Sequence, residues 1–101
     1  MQMLMHVRFP IDPFNAAVRD GTAGQKIQRI MEAIKPEAAY FNASNGRRGG
    51  ILVVTVNDPT DIPRLAEPFF LTFDADVSLE PFMTAEDLGR ADLDSLGKEW
   101  G

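Results

Sequence analysis

Four residues carry the chemistry this chain can offer: His6, Arg8, Asp74 and Asp76. Each falls on an alternating stretch, residues 2–9 and 70–80, and residues two apart on a strand share a face. Two adjacent strands would aim all four the same way. A histidine there can pass a proton near neutral pH, and an arginine can hold an anionic substrate. His6, Arg8 and Asp74 are accordingly expected as catalytic residues. Tyr40, Thr55, Thr72 and Asp76 on the same face are expected to bind the ligand. The competing reading is cross-strand or intersubunit ion pairs between Arg8 and the aspartates. One His with Asp74 and Asp76 is also a chemically possible divalent-ion site. Its spacing is unspecific, and neither a metal nor a cofactor is expected.

The elements that must position these residues follow from periodicity. Met3, Met5, Val7 and Phe9 alternate with Leu4, His6 and Arg8, which predicts a strand ended by Pro10. Asp12-Pro13 reads as a helix start carrying Phe14, Ala17 and Val18. Thr22 with Gln25 three residues on predicts a helix restart after Gly21. The stripe Ile27, Ile30, Met31 and Ile34 runs to Lys35-Pro36. Residues 38–42 predict a short strand, Asn45-Gly46 a hairpin turn, and residues 51–56 a central strand apolar on both faces. Asp58-Pro59 predicts a short helix with Ile62, Leu65 and Ala66, closed by Pro68. Residues 70–80 alternate as a fourth strand. Thr84 with Asp87 predicts a capped C-terminal helix bearing Leu88, Leu93, Leu96 and Trp100.

The order β-α-β-β-α-β plus a helix predicts an α+β, ferredoxin-like domain. It has a four-stranded antiparallel sheet with the first and third strands central and the helices on one face. The 101 residues suit one domain, with a core at 1–83 and a helical tail at 84–101. The uncovered face would then hold Leu4, Ile51 and Val53 at its centre. A contiguous apolar patch marks an interface, and a second copy packed by two-fold symmetry is the simplest cover.

Composition excludes several classes. There are no cysteines and one histidine, which rules out disulfides, iron–sulfur clusters and thiol chemistry and weighs against structural zinc. A net charge of −5 opposes binding to nucleic acid or anionic membranes. With no signal-peptide pattern and no long apolar run, a cytoplasmic location is expected.

The element order, the opening Met3-Leu4-Met5-His6-Val7, and the segment from Leu65-Ala66-Glu67-Pro68-Phe69-Phe70 through Pro81-Phe82-Met83-Thr84 resemble small dimeric α+β barrel proteins, the muconolactone-isomerase-like group and uncharacterised bacterial relatives among them. The resemblance covers residues 1–88 in layout. It implies a homodimer whose facing sheets enclose a cleft for a small organic molecule, with cofactor-free isomerase-like or monooxygenase-like chemistry. Two alternatives stand beside it. One is a non-enzymatic interaction domain. The other is nucleic-acid binding through Gly21-Thr22-Ala23-Gly24, which resembles the Gly-x-x-Gly loop of KH domains but has no Lys or Arg between its glycines. Recognition of the RRM type is set aside, because Leu4, His6, Ile51 and Val53 make no stacking platform.

Overall fold

The computed structural model describes all 101 residues. Its elements are β1 (Gln2–Arg8), α1 (Ile11–Arg19), α2 (Ala23–Ile34), β2 (Ala38–Ser44), β3 (Arg47–Thr55), α3 (Asp61–Phe73), β4 (Asp76–Pro81), α4 (Ala85–Arg90) and α5 (Leu93–Trp100). The four strands form one antiparallel sheet in the order β2-β3-β1-β4. β1 and β3 are central and β4 lies beside β1, as the sequence order predicts. The architecture is α+β with an open sheet and five helices, compatible with a ferredoxin-like layout.

One face of the sheet makes the core. Met3, Met5 and Val7 of β1 and Leu52 and Val54 of β3 are buried with Ala17 of α1, Ile30 and Ile34 of α2, and Leu65, Phe69 and Phe73 of α3. Each fully buried Leu, Met or Phe side chain contributes about 1.5–3 kcal/mol from loss of apolar surface to water. The rings of Phe9, Phe14, Phe69 and Phe73 form one aromatic group, with Phe9 and Phe73 edge to face at 5.1 Å between centroids.

The β2–β3 hairpin is longer than the apolar pattern predicts. Asn45 and Gly46 both have positive φ, 55° and 75°. Two left-handed residues make the turn whose twist matches paired strands, so the ladder closes directly on them. Arg47, Arg48, Gly49 and Gly50 therefore lie in β3, not in a loop, and β2 runs on to Ser44.

The largest departure concerns residues 68–75. Pro68 does not end the third helix, which continues to Phe73. Phe69 and Phe73, four apart, extend the stripe begun by Leu65 and Ala66, and all four are buried. That burial outweighs the hydrogen bond lost at Pro68. The alternation across residues 70–75 is coincidental, and the fourth strand begins at Asp76. Thr72 is consequently on α3. Asp74 is that helix's left-handed C-cap (φ 54°), its backbone N–H donating to the Phe69 and Phe70 carbonyls. Neither belongs to the sheet face expected for it.

Capping also divides. Thr84 and Asp87 form the predicted reciprocal box at 3.0 Å each way. Thr22 caps nothing with its side chain. It donates instead, from its amide and its hydroxyl, to the Asp20 carboxylate. The predicted C-terminal helix is two helices, broken at Asp92 (φ 55°), whose carboxylate starts α5 by accepting from the Ser95 amide.

Candidate functional site

The uncovered face is organised in rows set by the strand register. Val53 and Leu4 are paired at one level, Ile51 and His6 at the next, and Gly49 and Arg8 beyond them. β2 extends these rows with Ala38, Tyr40 and Asn42, and β4 with Glu80, Ser78 and Asp76. Leu4, Ile51 and Val53 thus form an apolar strip that gives way to polar side chains toward Arg8.

At that polar end lies a depression of about 450 Å³, lined among others by His6, Arg8, Asn42, Arg47, Asp76 and Ser78. Its floor is shaped by Gly49, which presents no side chain between Arg8 and Asn42. Arg8 reaches across to donate to the Ser44 carbonyl oxygen at 2.9 Å. Arg47 donates to the Phe9 carbonyl oxygen and stands 3.7 Å from Asp76. That ion pair is exposed on the Asp76 side, so it holds the two side chains together only weakly. Two guanidinium groups against one carboxylate leave a local positive excess in a chain of net charge −5. A guanidinium carries five donors in a planar fork suited to carboxylates and phosphates. Arg8 uses one of its own on Ser44.

Of the residues predicted for this site, His6, Arg8 and Asp76 come together here. Tyr40 shares the face and the His6 level, on the edge strand and largely exposed. Thr55 lies at the opposite end, paired with Gln2, its hydroxyl donating to Glu37 at 3.0 Å. Asp74 and Thr72 are excluded by the end of α3 described above. The set His6, Asp74 and Asp76 is likewise dispersed, and no three His, Asp or Glu side chains gather at metal-ligand spacing. Asn42, Ser44, Gly49 and Ser78 line the site without having been expected there, and Arg47, whose sequence position suggests a loop residue able to reach a phosphate, joins them from the strand. The readable signal was the Asn-Gly turn, whose two-residue geometry puts residue 47 opposite residue 44 in a ladder.

The Gly21–Gly24 segment does join two helices, with Gly21 at φ 81°. The Gly21 amide and the Thr22 amide and hydroxyl are engaged, however. The hydrogen bonds from the Thr22 hydroxyl and amide hold the Asp20 carboxyl below the usual carboxylate range. The Asp20 carboxylate, and not an outside anion, takes these two donors.

No helix is long and apolar enough to cross a membrane. No protein-family model matches the chain, and no curated protein matches it.

Proposed function

We propose that the chain is a homodimeric ferredoxin-like domain whose facing sheets enclose the polar depression, and that this cleft binds a small organic acid. The observation that carries the reading is the position of the Arg8–Arg47 depression beside the uncovered strip Leu4, Ile51 and Val53. Burying that strip against a second copy removes apolar surface from water and lowers the dielectric around Arg8. A charge-assisted, two-pronged bond to a carboxylate is stronger in such surroundings. His6 lies two positions along β1 from Arg8 on the same face, from where it would exchange a proton with the bound molecule's carbon or oxygen. The resemblance to small dimeric α+β barrels names cofactor-free isomerisation or oxygenation as the chemistry to assay first.

The test is titration of small mono- and dicarboxylates, with their neutral amides as controls, followed by backbone NMR shifts. The reading predicts that acids, not amides, perturb Arg8, Asn42, Gly49 and Ser78, and that Arg8→Gln weakens binding at least tenfold. Equal response to acids and amides, or no change in Arg8→Gln, would sink it. Any turnover found should be lost in His6→Ala; intact turnover would leave His6 a structural residue and the cleft a binding site alone.

A further inference from the structure

The C-terminal arm, α4 with α5, buries none of its residues. Leu88, Leu93, Leu96 and Trp100 are exposed by 42, 56, 43 and 81%. Leu93, Leu96 and Trp100 recur at i, i+3 and i+7, the stripe of a helix that packs on something. The molecule is 59 Å long, and its radius of gyration of 17.2 Å exceeds the roughly 13 Å of a compact domain this size. The arm therefore reaches outward rather than folding back.

The body carries a surface that matches it. On the helix side of the β2 edge, an apolar groove of about 340 Å³ is lined by Phe9, Phe14, Ile27 and Phe41, with Arg48 and Asn42 also in its lining. Phe41 is half exposed there. The Arg48 guanidinium stands 4.8 Å over the Phe14 ring. The arm brings five carboxylates (Glu86, Asp87, Asp92, Asp94 and Glu99) against two cations (Arg90 and Lys98) and ends in an indole. Acidic helix meets guanidinium, and aromatic side chain meets aromatic slot.

Symmetry brings the two edges together. Each arm leaves from β4, the edge opposite β2, three strand spacings or roughly 14 Å away across the sheet. When two such sheets face each other about a two-fold axis along the strands, β4 of one protomer lies over β2 of the other. The arm leaves β4 beyond Pro81, at the Ala38 end of β2, and must run back about four residues, roughly 13 Å, to the groove at Phe41 and Asn42. We propose that the α4–α5 arm docks in the partner's groove, Trp100 against the partner's Phe41 and the arm's carboxylates against the partner's Arg48. The inference rests on the homodimer reading above. Groove and polar depression share Asn42 and Gly49, so one protomer's arm borders the other's ligand site.

Trp100 is the only tryptophan, so its fluorescence reports the arm alone. Emission and acrylamide quenching are followed in the full chain across a dilution series with solution mass measured in parallel. The expected result is a blue-shifted indole, several-fold less quenchable, in the dimer, and a hydrated indole on dilution to monomer. Phe41→Ala and Arg48→Glu, both at the groove surface, should each return the indole to water at concentrations where the wild type is protected. A dimer with a hydrated indole overturns the arm contact and leaves the dimer standing. A hydrated monomer at every concentration overturns both. A protected indole in a monomer places the arm on its own body, and one still protected in both variants places it elsewhere on the partner; either result overturns the proposal.

Discussion

Arg8 on β1 donates to the carbonyl oxygen of Ser44 on β2, 2.9 Å away, spanning the intervening strand β3 above Gly49. Gly49, paired with Arg8 on one side and Asn42 on the other, presents no side chain on this face. The sheet is tight at this point: a Cβ on Gly49 would stand 2.7 Å from the Val7 carbonyl oxygen, a backbone atom that moves only with β1. Gly49→Ala is therefore expected to cost about 1–3 kcal/mol, as overpacking does. It should also weaken carboxylate binding at Arg8. Urea denaturation beside the acid titration reads both effects, and an unchanged midpoint would show that the strands part more easily than the register implies.

Phe69 is fully buried between Phe9 and the sheet-facing core. Phe69→Ala should lose about 3–5 kcal/mol, the transfer term plus the cavity left behind. A loss under 1 kcal/mol in thermal or chemical unfolding would mean that α3 does not pack on the sheet as described.

Pro68 lies inside α3 without a backbone N–H to donate to the preceding turn. Pro68→Ala restores that donor and removes the ring's clash, offset by greater freedom of the unfolded chain. A net gain of about 2 kcal/mol is expected. A loss would argue that the ring itself fills space on α3.

Three further carboxylates are held below the usual range by backbone amides first: Asp58 by Thr60, Asp61 by Asn57 and Asp58, and Asp87 by Thr84. A depressed native pKa means that the unfolded chain binds the proton more readily. The stability these groups contribute is therefore complete above the ordinary Asp value of about 3.9, and it falls away as pH drops through the lower native values. Unfolding midpoints should be insensitive to these groups between pH 5 and 8, a window well above that reference value, and decline more acidic than it. Asp61→Asn should make the decline shallower; an unaltered acid limb would assign it to other carboxylates.

The sheet order, the helix-facing residues Met3, Met5, Val7, Leu52 and Val54, and the Thr84–Asp87 cap were legible because each is written in local period or capping chemistry. The strand assigned to 70–75 was not. Leu71 and Phe73 satisfy a two-residue period, while Leu65, Phe69 and Phe73 satisfy a helical one, and burial in the assembled core decides between them. That one segment took Asp74 and Thr72 out of the candidate site. Arg47 entered it for the opposite reason, since the ladder closes at Asn45-Gly46 with no loop to spare.

The facing-sheet homodimer is tested most directly by the mass of the chain in solution, measured by light scattering. A homodimer gives twice the 11.2 kDa chain mass at micromolar concentration, reduced to one chain when Ile51→Glu places a charge in the middle of the apolar strip. A wild-type chain that stays monomeric as its concentration rises would contradict the covered cleft, and with it the binding site proposed between the sheets.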